Sequence, residues 1–146
     1  MKIKKYGAID IGSNAVRLLV ANVIEEKNKE PQFKKSSLVR VPIRLGADAF
    51  VTGTISKENT NRMIDAMQAF KLIMKVHGVE RYKACATSAM REASNGAEVI
   101  QNILEKTEVE IDIIDGKKEA AIIFATDLNE LIESDLTYLY VDVGGG

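Results

Sequence analysis

The chain has 146 residues, 46% hydrophobic and 28% charged, with a formal net charge of −1. That composition describes a globular protein able to bury one good core, and the near-neutral balance gives no general affinity for duplex nucleic acid or an anionic membrane. No apolar run is long enough to span a bilayer, no signal-peptide layout is read at the start, and the single Cys85 fits a reducing cytoplasm.

Residues 3–11 and 16–24 read as paired strands. Asp10 closes the first apolar run, and Gly12, Ser13 and Asn14 turn the chain into the second. A carboxylate there can hold a hard cation, which in turn holds phosphate oxygens. The backbone N–H groups of such a turn form a concavity for anions, and glycine permits close approach and a left-handed backbone. Taken alone, the stretch reads more readily as an ordinary hairpin turn.

Glu25 to Pro31 is a polar turn. Phe33 to Leu45 alternates loosely as a third strand, with Pro42 marking an edge position or the strand's end. Lys34, Lys35, Arg40 and Arg44 make it a solvated edge or, less simply, part of a basic stripe. Gly46 to Gly53 reads as a loop. Ser56 is placed to cap a helix from about residue 57 to His77, which Gly78 stops. Met63, Met67, Phe70 and Met74 recur at helical spacing and read as core, and His77 as a polar cap.

Tyr82 to Thr87 is a short buried strand, in which Cys85 reads as a packed residue rather than a nucleophile. Residues 87–94 turn into a helical segment, and a further helix runs from about Gly96 to Glu105. Val109 to Ile113 alternates as a strand. Lys117 to Ile132 is helical by periodicity, and Thr137 to Val143 is a last strand. Three antiparallel strands followed by alternating helices and strands imply a mixed sheet with helices on both faces. Neither a Walker A motif nor a G-x-G-x-x-G motif is present, so a P-loop and a dinucleotide site are unsupported.

The end of the chain repeats the layout of its beginning. Asp10-Ile-Gly12 and Asp142-Val-Gly144 align without a gap, and Gly145 and Gly146 follow. Two copies of a strand–Asp–Gly turn suggest a duplicated phosphate-binding device. Ending inside this second turn predicts the N-terminal portion of a longer protein, with residues 1–135 as one domain and 136–146 opening a second.

Turns at strand ends gather at one edge of such a sheet, where open α/β sheets bind ligands. Four candidates lie there: Asp10 with Gly12, Ser13 and Asn14; Ser88 with Arg91; Gly116 with Glu119; and Asp142 with Gly144, Gly145 and Gly146. Arg91 offers a fork suited to phosphate, or pairs with Glu92. Ser88 could donate to phosphate, but a helix cap is the safer reading. Glu119 is either an acid favoured by a helix's first turn or a group that orients a water for in-line attack.

Five motifs together resemble one family: Asp10-Ile-Gly-Ser-Asn14, Ile43-Arg-Leu-Gly46, Ala86-Thr-Ser-Ala-Met-Arg-Glu-Ala93, Gly116-Lys-Lys-Glu-Ala120 and Asp142-Val-Gly-Gly-Gly146. Their order and spacing resemble the exopolyphosphatase / guanosine pentaphosphate phosphohydrolase (Ppx/GppA) family over essentially the whole chain, as its N-terminal domain. The resemblance implies a ribonuclease-H-like fold of the actin, sugar-kinase and Hsp70 superfamily. It implies two such domains, a cleft between them and a homodimeric full-length protein. It implies removal of the terminal phosphate of polyphosphate or guanosine pentaphosphate with Mg²⁺ (or Mn²⁺). Glu119 takes the position of the family's catalytic glutamate, and Lys118 departs from the acid expected before it. Asp10 and Asp142 would hold the metal, Gly12 to Asn14, Ser88 and Gly144 to Gly146 the phosphate, and Arg91 would neutralise developing charge. An ATP-dependent kinase and a nucleotide-gated assembly protein of the same superfamily are the alternatives. So placed, residues 1–146 alone are expected to show little phosphatase activity.

Overall fold

A computed structural model describes residues 1–119 of the chain. β1 (Lys2–Ile11), β2 (Val16–Glu25) and β3 (Gln32–Val41) form an antiparallel meander. After it come α1 (Leu45–Ala49), α2 (Lys57–His77), β4 (Arg81–Ala86), α3 (Ser88–Glu92), α4 (Gly96–Thr107) and β5 (Asp112–Ile113). The sheet order is β3-β2-β1-β4-β5, with β4 parallel to β1 and β5 parallel to β4. This is the mixed ribonuclease-H-like sheet that the resemblance implies.

The core lies against one face of the sheet. Ile9, Ile11, Val16, Leu18, Ala84 and Ala86 point to it in register and meet Met63, Met67, Phe70 and Ile103 of α2 and α4. The methionine stripe of α2 is therefore packing: Met63, Met67 and Phe70 are fully buried. Both ends of α2 stop where the sequence predicts. The Ser56 hydroxyl accepts from the Asn59 N–H at 3.2 Å, and Gly78 takes the left-handed conformation that a C-terminal cap favours. His77 is the last residue of α2, and its carbonyl accepts from Lys5 Nζ at 2.9 Å. Asp48 braces the other end, accepting from the Ser56 N–H at 2.8 Å and from Asn59 Nδ2 at 2.9 Å. Burial works against its charge, but the bonds from Ser56 and Asn59 outweigh it and hold its carboxyl below the usual range.

Three expectations change. The third strand stops at Val41 rather than Leu45, since Pro42 has no N–H to continue the ladder. The stretch read as a loop from Gly46 begins instead as α1, because Leu45, Gly46 and Ala49 are drawn into the core. The strand expected over Val109 to Ile113 pairs only through Asp112 and Ile113. Glu108 is left-handed, and the Val109 N–H turns to the Thr107 hydroxyl at 3.1 Å, so the backbone enters the ladder late.

Each of α1 to α4 contributes to the same core cluster. Residues 116–119 begin a helical turn. The rest of the helix expected over 117–132, the strand over 137–143, Asp142 and Gly144 to Gly146 lie outside the described residues. The sheet's other face carries Tyr6, Ala8 and Asp10 of β1. Register sets Arg40, Arg17, Asp10, Cys85 and Asp112 in one row across that face.

The α3–α4 junction leaves no room for a side chain at Gly96, where a Cβ would fall 2.1 Å from the Met90 carbonyl oxygen. Gly96→Ala should therefore destabilise the protein by about 1–3 kcal/mol, lowering the urea midpoint without altering the slope. An unchanged midpoint would show that this junction yields freely.

Candidate functional site

Parallel pairing brings the C-terminal ends of β1, β4 and β5 to one edge of the sheet. Beyond the last rungs, the Thr87 N–H donates to the Ile11 carbonyl at 3.1 Å and the Ile114 N–H to the Ala86 carbonyl at 3.0 Å. The turns that follow these strands are consequently neighbours. They carry Gly12 to Asn14, Ser88 to Arg91, and 115–119.

The first turn is tight. The Gly12 N–H closes it on the Ala15 carbonyl at 3.1 Å, and Gly12 is not left-handed. Gly12 thus does not use the left-handed freedom that glycine permits, and its N–H is already spent within the turn. Among the described residues the Ser13 and Asn14 N–H groups have no such partner. The turn is held from two sides. The Gly46 N–H donates to the Ser13 carbonyl at 2.8 Å, and the Ser13 and Ser88 hydroxyls share a hydrogen bond of 2.9 Å. The approach at Gly46 is close: a Cβ there would lie 3.1 Å from Ser13 Cβ and 3.0 Å from the Phe50 ring, so a side chain would press on both. Ile43 and Leu45, both fully buried, anchor the segment that delivers Gly46. Ile43-Arg-Leu-Gly46 is therefore a brace for the turn over residues 12–15.

The capping reading of Ser88 fails. Ser88 is the first residue of α3, Thr87 flanks it, and no side chain caps that helix. The Ser88 hydroxyl faces Ser13 instead. Arg91 is 31% exposed, its Nη1 donates to the Ile114 carbonyl at 2.8 Å, and its Nε lies 3.6 Å from Glu92 Oε1. Both readings of Arg91 thus keep a foothold: it touches Glu92 loosely, yet its guanidinium is held at the end of β5. Asp115, which sequence reasoning passed over, caps the next turn. Its Oδ1 accepts from the Lys118 N–H at 2.6 Å and its carbonyl from the Glu119 N–H at 2.9 Å. Glu119 is half-buried there, and Lys118 is exposed.

Asp10 is 40% exposed and bonds Arg17, directly opposite it on β2. Arg17 is a second residue that sequence reasoning missed. A hairpin centred on Ser13 and Asn14 pairs positions symmetrically about that centre, so the paired-strand reading contained the signal. At the end of the row, Asp112 forms an ion pair with Lys83 that raises the lysine and lowers the aspartate from their ordinary ranges. Burial pushes the Cys85 thiol up, away from the reactive thiolate. Among the described residues no three His, Cys, Asp or Glu side chains form a metal-holding group. Asp10 is a hard oxygen donor at the edge. That suits Mg²⁺, which keeps several waters and uses one or two carboxylates with substrate phosphates. A groove of about 260 Å³ between α2 and α4, lined by Thr60, Asn95, Glu98 and Lys106 among others, shares no residue with this edge.

With this geometry in place, the comparison with protein families decides the kinship: the model of the Ppx/GppA phosphatase family matches residues 23–146. The chain belongs to that family. Exopolyphosphatase 1 of Mycobacterium tuberculosis is 29% identical over 142 residues, which is 97% of this chain and 40% of the relative. The chain thus spans less than half the length of this relative. Among solved structures, an exopolyphosphatase from Cytophaga hutchinsonii superposes with a TM-score of 0.73 at 30% identity, covering 83% of this chain and 37% of that one. The Ppx/GppA family member of Aquifex aeolicus gives a TM-score of 0.73 at 26% identity, covering 81% and 37%. Among the described residues no helix is long and apolar enough to cross a membrane.

The Ser13–Ser88 bond ties the first two turns together. Replacing both serines by alanine, singly and together, should reveal a coupling of about 0.5–1.5 kcal/mol in a denaturation double-mutant cycle. A coupling near zero would remove the bond as a tie between the turns.

Proposed function

We propose that the protein belongs to a phosphohydrolase that removes the terminal phosphate of inorganic polyphosphate, with guanosine pentaphosphate as a second substrate of the same chemistry. The observation that carries this reading is the convergence of Ser13, Ser88, Arg91 and Glu119 segments at one sheet edge, in a chain of the Ppx/GppA family. The similarity to enzymes named exopolyphosphatase supports polyphosphate as the substrate.

The mechanism is in-line attack of water on a terminal phosphoryl group, which asks the protein mainly for positioning and charge stabilisation. The Ser13 and Asn14 N–H groups and the Ser88 hydroxyl bind the phosphoryl oxygens, in line with the open donors of the first turn. The Arg91 guanidinium, steadied by the Ile114 carbonyl, neutralises charge as the phosphate leaves. Glu119 accepts the proton of the attacking water through its carboxylate, and no covalent phosphoenzyme is needed. Asp10, with Asp142 from the second turn, would hold Mg²⁺ or Mn²⁺, which when bound would draw charge from the phosphate oxygens. The exposed Lys118 beside Glu119 adds positive charge where polyanions enter, so it bears on the choice between the two substrates.

Glu119→Gln in the full-length protein tests this reading. Glutamine keeps the size and removes the base, so kcat should fall about 10²–10⁴-fold while substrate affinity stays nearly constant. If Glu119 is only a first-turn acid, the change costs about 0.3–1 kcal/mol of stability and leaves turnover alone. Turnover of polyphosphate within about threefold of the unaltered enzyme removes Glu119 from the mechanism.

A further inference from the structure

We propose that Arg17 is a positioning residue that holds down the affinity of the substrate-free site for a divalent cation, by pairing its guanidinium with the Asp10 carboxylate that would hold the ion. The proposal rests on the reading of Asp10 as a cation ligand. The turn over residues 12–15 sets the register that places Arg17 directly across from Asp10. Arg17 Nε donates to Asp10 Oδ2 at 2.9 Å, and Nη2 donates to the same oxygen. One carboxylate oxygen thus carries both guanidinium contacts.

The other neighbour of Arg17 in the sheet explains the direction of that contact. On the β3 side, Arg17 faces Arg40, and like charges directly opposite each other repel. The guanidinium is pushed from Arg40 and drawn to Asp10. Both side chains of the pair are about half exposed, 56% for Arg17 and 40% for Asp10. Ion pairs so exposed contribute little to stability, so the contact is ill suited to hold the hairpin together. Its consequence falls on whatever else needs the carboxylate. A divalent ion at Asp10 must displace the guanidinium or tolerate a fixed positive charge beside it, and either raises its dissociation constant.

The test is Mn²⁺ binding to the full-length, substrate-free protein, followed by loss of the free-ion signal in electron paramagnetic resonance. Arg17→Gln should tighten Mn²⁺ binding about tenfold, Arg17→Lys should tighten it less because the charge remains, and Asp10→Asn should abolish it. Arg17→Met serves in place of glutamine if circular dichroism shows a folding defect. If Asp10→Asn loses the ion but the neutral variants bind within about twofold of the unaltered protein, Arg17 does not compete and the proposal is overturned. If Asp10→Asn binds Mn²⁺ as well as the unaltered protein, or none of the proteins binds it at millimolar concentration, the ligand reading of Asp10 falls, and the proposal with it.

Discussion

The parallel pairing of β4 with β1 and of β5 with β4 is the constraint on which the rest depends. Antiparallel strands alone would place successive turns at opposite ends of the sheet. Here the crossover through α1 and α2 returns the chain to run beside β1 in the same direction, and α3 and α4 return it again. Three strand ends therefore open on one edge. The bonds from Thr87 to Ile11 and from Ile114 to Ala86 carry that alignment one residue past the strands, into the turns. Without it Ser13, Ser88, Arg91 and Glu119 would be scattered residues on unrelated loops.

The two faces of the sheet divide the work. One face is apolar and closes over the methionine-lined α2, so the strands are held by burial, the largest favourable term in folding. The other carries a row of charges from Arg40 to Asp112 at the level where the strands approach the edge. Period-two alternation makes both possible: Ile9 and Ile11 hold β1 in the core, while Asp10 between them is turned the other way. A one-residue slip of β1 would bury Asp10 and expose both isoleucines, so the core fixes the register of the site.

Much of this was legible in the sequence because periodicity and end signals agreed. α2 is the clearest case: Ser56, the methionine stripe and Gly78 each mark the same helix independently. The meander and the strand-end position of Asp10, Ser88 and Glu119 followed from alternation and turn residues. Two of the failures have a common physical source, in that they depended on long-range partners. Gly46 looked like the start of a loop because its bond to the Ser13 carbonyl spans distant segments. Ser88 looked like a cap because its true partner, Ser13, is 75 residues away. The strand at Val109 looked longer because alternation reports burial, and Val109 and Ile111 are buried without pairing. Arg17 was missed for a different reason: a charge in a strand reads as an outward residue until the register names its neighbour.

The central claim is that the shared edge of β1, β4 and β5 receives the terminal phosphate. Amide chemical-shift mapping of the full-length protein with tripolyphosphate and Mg²⁺ tests it most directly. The account predicts that the largest shifts fall on Ser13, Asn14, Ser88, Arg91 and Glu119, and that residues of the α2–α4 groove such as Thr60, Asn95 and Lys106 stay still. Shifts concentrated in that groove, with the three turns unmoved, would contradict it.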